Sequence, residues 1–212
     1  MSGNGGGSAQ GVLRLVLATA NPDKAVEIAA IVDDVAHGRI ELVARPGHVP
    51  EVDETGHTLE ENARLKALAL LEATGLPAMA DDTGLEVDAL GGDPGVRSSR
   101  YSGEHATYDE NVAKLLAELA AAGAIDEASR AARFRTVAVA CFPGGRQVVA
   151  EGIVEGHIAR ERRGANGFGY DPVFVPAGST HTFAEMTAAQ KQACSHRGRA
   201  FRALAVGLLS PP

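Results

Sequence analysis

The chain is poor in the features that mark several protein classes. It has two cysteines in 212 residues, Cys141 and Cys194, and no C-x-x-C pair. That excludes a disulfide framework and a thiolate zinc site, and fits two reduced, semi-buried thiols in a cytosolic protein. No apolar run approaches the roughly 18 residues of a membrane helix. The start, Met1 to Gly11, is rich in glycine and serine and has no apolar centre, so it reads as a flexible tail rather than a signal peptide. No long Lys/Arg run is present and the formal net charge is −7. Such a field does not draw nucleic acid or an anionic membrane. The phosphate-cradling pattern G-x-x-x-x-G-K-[ST] is absent, as is any repeat period.

What is present is ordinary globular stock, 45% hydrophobic and 22% charged, enough for one domain with a sizeable core. Val12 to Ala18 is a short apolar run that predicts a buried strand. Asn21 as N-cap and Pro22 at the first position open a helix to about Ala36. A short strand is expected near Ile40 to Ala44. Thr58 and Glu61 form a capping box for a helix to Thr74, stopped by Gly75 and Pro77. Pro77 to Ala80 reads as a strand ending in Asp81-Asp82-Thr83-Gly84, and the alternation of Leu85, Val87 and Ala89 as another. Thr107 and Glu110 cap a helix to Ala122. Phe134 to Phe142 and Gln147 to Ile158, separated by Pro143-Gly-Gly145, predict a hairpin. Val173 to Val175 is a strand, Thr187 with Gln190 opens a short helix, and a last helix runs from His196 to Leu209. Residues 12–212 are thus one α/β domain with a mixed sheet. The elements from about Thr107 onward are expected to form a second lobe across a cleft.

Five segments carry chemistry. Thr19-Ala-Asn-Pro-Asp-Lys24 follows a strand and opens a helix. Free N–H groups there favour phosphate, and Lys24 adds charge; the alternative is a plain capped junction. Asp81-Asp82 follow a buried strand, where two acids cost stability unless cations or hydrogen bonds meet them; the alternative is a charged turn. Their spacing disfavours a covalent phospho-enzyme. Glu51, Asp53 and Glu54 precede a helix bearing Asn62 and Lys66 on one face. A lysine there either snorkels to solvent or reaches a phosphate site. Gly164-Ala-Asn-Gly-Phe-Gly-Tyr-Asp-Pro172 sets two aromatics in a glycine-rich turn. Phe168 either stacks on a planar base or packs with Tyr170 into the core. Lys191, His196 and Arg197 are either surface cations or ligands for phosphate or a base carbonyl.

In this order the segments resemble the inosine/xanthosine triphosphate pyrophosphatase family, the non-canonical purine nucleotide hydrolases. The carrying motifs are Leu17-Ala-Thr-Ala-Asn-Pro-Asp-Lys24, Glu54-Thr-Gly56, Glu61-Asn-Ala-Arg-Leu-Lys-Ala67 and Ala80-Asp-Asp-Thr-Gly-Leu85. Leu90 to Gly95, Ser99 to Gly103, Gly167 to Pro172, Thr187 to Lys191 and Ser195-His-Arg-Gly198 continue the match. The resemblance implies an elongated two-lobed α/β fold, a nucleotide cleft between the lobes and a cytoplasmic homodimer. It implies a purine nucleoside triphosphate as substrate and Mg²⁺ as cofactor, held by Glu54 and Asp82. Asp82 would be the general base and Lys66 would serve the reacting phosphates. Thr19, Ala20, Asn21, Pro22, Asp23, Lys24 and Thr83 would surround the phosphates. Phe168, Gly169, Tyr170, Asp171, Lys191, His196 and Arg197 would read the base. Ala20 and Thr83 are mild departures, standing where glycine or serine and serine are usual. The expected reaction is water attack on the α-phosphorus with loss of pyrophosphate. Rival readings are a pyrophosphatase for another modified nucleotide, a nucleotide-binding regulator without catalysis, and a nucleic-acid binder, the last opposed by the net charge.

Overall fold

A computed structural model describes residues 11–210. The tail expected over Met1 to Gly11 therefore lies outside the described residues, Gly11 apart.

The elements run β1 (Leu13–Leu17), α1 (Pro22–Ala36), β2 (Ile40–Ala44), α2 (Leu59–Thr74), β3 (Ala78–Val87), β4 (Pro94–Gly95), α3 (Tyr108–Ala121), β5 (Ala131–Cys141), β6 (Gln147–Ile158), β7 (Phe174–Pro176), α4 (Ala188–Cys194) and α5 (His196–Leu209). The capping residues act as their spacing implies. Asn21 accepts from the N–H groups of Asp23 and Lys24, and Thr58, Thr107 and Thr187 each complete a reciprocal capping box.

The sheet is mixed, in the order β2-β1-β3-β5-β6-β7 with β4 on β3. The β1 pairings with β2 and β3 are parallel, and β3, β5, β6 and β7 continue antiparallel. One expectation is corrected here. Asp81 to Gly84 do not end a strand; β3 runs through them for ten residues. Its register with β5 pairs Asp81 with Ala138, Asp82 with Val137 and Thr83 with Thr136. The backbone has no cause to turn, because its hydrogen bonds are met by the long β5 hairpin strand and the acids find cations nearby.

The other edge of β3 is different. It pairs with β1 only at Ala78 and Met79, and with β4 only at Leu85 and Glu86. Between those two pairings, residues 80–84 have no strand beside them on that edge. The gap opens where β1 ends and the chain turns into α1.

Side chains alternate across a strand, and β3 uses the alternation to set up the site. Met79 joins the core made with α1 and α5, and Leu85 and Val87 join a second core with α3, Phe134, Phe174 and Phe183. Asp81 and Thr83 share that face of the strand and form a polar belt between the two cores. Ala78 and Ala80 face α2 instead, in a third core, and Asp82 follows them. The last helix joins both halves of the chain. Its apolar stripe, Phe201, Leu204, Ala205 and Leu208, packs in the first core against Ala138 and Ala140 of β5 and the flanking residues of β6, and also reaches α1 from the first half of the chain.

Candidate active site

A cavity of about 520 Å³ lies at the gap, within the range of small-ligand sites. Its walls come from the β1–α1 loop, the acidic loop before α2, β3, the glycine-rich turn and the α4–α5 junction.

Asp81 and Asp82 are nearly inaccessible to solvent, at 4% and 5%. Their carboxylates answer to different partners. Lys66 Nζ lies 3.0 Å from Asp82 Oδ1 and 2.9 Å from Glu54 Oε1. Asn62 Nδ2 donates to Asp82 Oδ2 at 3.2 Å, and Asn62 Oδ1 accepts from Gly56 N at 2.8 Å. Gly56 is needed for that approach, since a Cβ there would stand 2.6 Å from Asn62 Oδ1. Asn62 thus ties the acidic loop to the acid of β3. Asp81 Oδ2 meets Lys24 Nζ at 3.5 Å and Arg197 Nε at 3.6 Å, and accepts from Thr83 Oγ1 at 3.2 Å.

The two neighbours therefore ionise differently. Burial pushes the Asp82 carboxyl above its ordinary range, the Glu54 charge adds to that, and Lys66 offsets only part. Burial acts on Asp81 as well, but Lys24 and Arg197 outweigh it and hold that carboxyl well below the usual range. A pair of acids driven apart by their surroundings suits one fixed charge and one proton acceptor. Burial also lowers the Lys24 ammonium, against the pull of Asp81.

The phosphate-loop expectation is refined. Asn21 N donates to Thr19 Oγ1 at 3.1 Å, and the Asp23 and Lys24 N–H groups go to Asn21 Oδ1. Those donors are already satisfied within the loop. It offers the cleft the Lys24 charge and the helix dipole rather than a row of free N–H groups. Ala20, Pro22 and Asp23 line the cavity and are exposed.

On the opposite wall the glycine-rich turn divides its aromatics. Tyr170 packs into the second core and donates from its hydroxyl to Ser98 O at 2.9 Å. Phe168 faces the cleft, with Lys191 Nζ 4.8 Å and Arg197 Cζ 5.4 Å from its ring centre. Asp171 Oδ2 accepts from Phe168 N at 2.8 Å and pairs with Lys191 at 2.7 Å. At Gly167, φ is +73° and a Cβ would collide with the Asp171 carboxylate, so only glycine fits. Gly169 follows in the same left-handed region and also lines the cavity. His196 is 3% exposed and stacks on Phe134 at 4.3 Å. Burial, with Arg197 and Lys191 beside it, holds its pKa well below the ordinary histidine value, so the ring is neutral. Its Nδ1 is buried without a hydrogen-bond partner. An unpartnered nitrogen at a cavity wall is a group a ligand can satisfy.

The residues expected at the site line one cavity except Asp82, which lies behind its wall and joins it through Lys66. Three contributors had no assigned role. Glu27, on α1 one turn beyond Lys24, accepts from Lys191 at 2.7 Å and Arg197 at 2.6 Å. Its spacing from Lys24 is the only sequence signal, and any surface glutamate shares it. Arg100 sits in the quoted Ser99-Arg-Tyr motif and pairs with Glu54 Oε2 at 3.1 Å. Four-residue spacing puts Asn62 on one helix face with Lys66, but its link to Asp82 needs the fold.

Among the described residues no group of three or more His, Cys, Asp or Glu side chains is arranged to hold a metal. The donor set still fits a hard divalent ion. Glu54 and Asp82 converge on one ammonium, and Mg²⁺ is usually held by one or two carboxylates together with substrate phosphates. The charges point the same way. Lys24, Lys66, Arg100, Lys191 and Arg197 are matched by Glu27, Glu54, Asp81, Asp82 and Asp171. A polyanion entering a site so balanced needs countercharge that comes with it.

A sequence model of the Ham1 family matches residues 15–206. The chain is 49% identical over 193 residues to a dITP/XTP pyrophosphatase of Streptomyces avermitilis, covering 90% of this chain and 94% of that one. It is 48% identical over 192 residues to a dITP/XTP pyrophosphatase of Lactiplantibacillus plantarum, covering 90% and 92%. Among solved structures it resembles a HAM1 protein from Coxiella burnetii with a TM-score of 0.82 and 41% identity, covering 93% of this chain and 98% of the other.

Proposed function

This chain belongs to the Ham1 family, and from that premise we propose that it hydrolyses non-canonical purine nucleoside triphosphates (ITP, dITP and XTP) to the monophosphate and pyrophosphate. It is a hydrolase of phosphoric anhydrides. The single observation that carries the site assignment is the meeting of Glu54 and Asp82 on the Lys66 ammonium, within electrostatic reach of Lys24.

Asp82 takes the proton of a water that attacks the α-phosphorus. Its carboxylate is held by Asn62 and Lys66, so it is aimed before substrate arrives. A raised affinity for protons makes it a better base than an exposed aspartate. Burial pulls the Lys66 ammonium down, but Asp82 and Glu54 outweigh it and keep the lysine charged. Lys24 and Lys66 then attract the phosphate chain, which carries about four negative charges near neutral pH. Most of the acceleration comes from positioning and electrostatics, and no covalent intermediate is needed.

Enzymes of this kind use a divalent metal ion; we assign Mg²⁺, with Glu54 and Asp82 as its protein ligands. When bound it supplies charge neutralisation and polarises the phosphoryl oxygens.

The base lies by Phe168, with Lys191, Arg197 and the neutral His196 around it. A 6-keto oxygen accepts from a donor there, where adenine presents an amino group. A buried donor left unpaired costs roughly 1–3 kcal/mol. The enzyme is assigned to the cytoplasm as a homodimer. Among the described residues no helix is long and apolar enough to cross a membrane. Pyrophosphate release from ITP, XTP, GTP and ATP tests the reading. ITP and XTP are expected to outpace ATP by at least tenfold, and equal rates on all four would refute the selectivity.

A further inference from the structure

One aromatic at the mouth of the cleft belongs to none of the motifs. Tyr108 is the first residue of α3 and lines the cavity opposite the glycine-rich turn. Its ring centre lies 6.0 Å from that of Phe168, with the planes inclined at 35°. Its hydroxyl accepts a hydrogen bond from Asn21 Nδ2 at 3.0 Å. The same asparagine caps α1 through its oxygen. Tyr108 therefore bridges the phosphate loop and the aromatic turn.

Its setting is fixed from both sides. The Thr107–Glu110 capping box defines the start of α3. The next residue, Asp109, pairs with Arg162 in the segment that leads into the glycine-rich turn. Yet Tyr108 itself is 42% exposed. A large ring half in solvent at a cavity edge contributes little to a core. Phe168 is more constrained, with its N–H on Asp171 and two cations against its ring.

We propose that Tyr108 is a substrate-binding residue whose ring, with Phe168, forms the two walls that hold the purine base, while its hydroxyl links that wall to the phosphate loop through Asn21. The proposal rests on the nucleotide reading above. A planar base between two rings needs a van der Waals contact of about 3.5 Å on each face, hence about 7 Å in all. The present spacing falls about 1 Å short. Phe168 is the fixed wall and Tyr108 the one that yields, since its ring is partly in solvent and tethered by a single hydrogen bond. Stacking tolerates any flat base, so this wall supplies affinity for the purine, while the polar groups around His196 discriminate among purines.

The test separates base from phosphate. Inosine monophosphate and inorganic tripolyphosphate are titrated calorimetrically into the wild type, Tyr108→Ala and Tyr108→Phe, and kcat and KM are measured with ITP. Base–aromatic stacking is lost in the alanine variant, so its affinity for the monophosphate is expected to fall about tenfold. KM should rise by a similar factor and tripolyphosphate binding should hold. Tyr108→Phe keeps the ring and restores most of the lost affinity. Tyr108→Leu replaces the alanine variant if that one does not fold. Unchanged monophosphate affinity in the alanine variant overturns the proposal. So does an equal loss for both ligands, because that would mean a general disturbance of the phosphate loop. A wild-type chain that neither binds the monophosphate nor releases pyrophosphate overturns the nucleotide reading itself, whereas an active wild type matched by its alanine variant overturns the wall alone.

Discussion

Replacing Asp82 by asparagine separates the roles that the cleft assigns to its carboxylates. The change is nearly isosteric, so the 5% exposed side chain still fits. What alters is charge and hydrogen bonding. Asp82 accepts from Asn62 Nδ2 on one oxygen and from Lys66 Nζ on the other. An amide can accept on only one side, so one of those two contacts becomes donor against donor. Lys66 keeps Glu54 as its partner at 2.9 Å, and the energy of holding a buried carboxylate is removed. These opposed changes leave stability close to its starting value. Catalysis has no such compensation. Loss of a positioned general base costs about a hundredfold to ten-thousandfold in rate, or about 2.7–5.4 kcal/mol at 1.36 kcal/mol per tenfold. With Lys24 and Lys66 still drawing the phosphates, KM should stay within about threefold. The assay is pyrophosphate release from ITP, with thermal unfolding measured alongside. Turnover within tenfold of wild type, in a variant of unchanged melting temperature, would remove Asp82 from the chemistry.

Four further outcomes follow from the same geometry. Glu54→Gln leaves a single carboxylate for the divalent ion, so half-maximal activity should require severalfold more Mg²⁺, and chelation should abolish turnover in the wild type; insensitivity to chelator would contradict the metal assignment. Glu27→Ala strips the shared acceptor from Lys191 and Arg197. Each buried cation then loses one carboxylate, Lys191 keeping Asp171 and Arg197 keeping Asp81; at about 1–3 kcal/mol for the lost contacts, Tm should drop by several degrees and KM should rise, whereas a silent substitution would show that the remaining acids suffice. His196 is buried neutral, with its folded pKa below the ordinary value. As pH falls through about 6.5 the unfolded chain takes up a proton that the folded chain refuses, so stability declines by up to about 1.4 kcal/mol per pH unit. His196→Gln should flatten the urea-midpoint profile between pH 7.5 and 5.5, and identical slopes would show that the folded imidazole takes up its proton as readily as the unfolded one. Gly56→Ala forces a Cβ against Asn62 and should lower kcat through the Asp82 contact more than it lowers Tm, which a comparison of turnover with unfolding would check.

Much of this molecule follows from local chemistry that short stretches of chain carry with them. Asn21-Pro22, Thr58-x-x-Glu61, Thr107-x-x-Glu110 and Thr187-x-x-Gln190 mark helix starts because each satisfies orphan N–H groups with its own neighbours. The hairpin of β5 and β6 was legible in its valine-rich runs and glycine turn. The acids and cations of the site could be named one by one, because their residue types carry the chemistry and their order matches a family. Pairing could not be read in that way. That Asp81–Gly84 continue a strand depends on a ladder with β5, more than fifty residues away. That the last helix lies between the β5–β6 hairpin and α1 depends on a sheet face and on a stripe from the far end of the chain. Glu27 looks like any exposed helix acid until α4 and α5 bring Lys191 and Arg197 against it. Tyr108 has no motif at all and gains meaning only from the 6.0 Å that separates it from Phe168. The chain by itself decided which groups were available and where helices begin, since those depend on interactions among near neighbours. Only the tertiary structure decided which charge faces which, because electrostatic and stacking energies fall with distance in space, and distance along the chain does not report it.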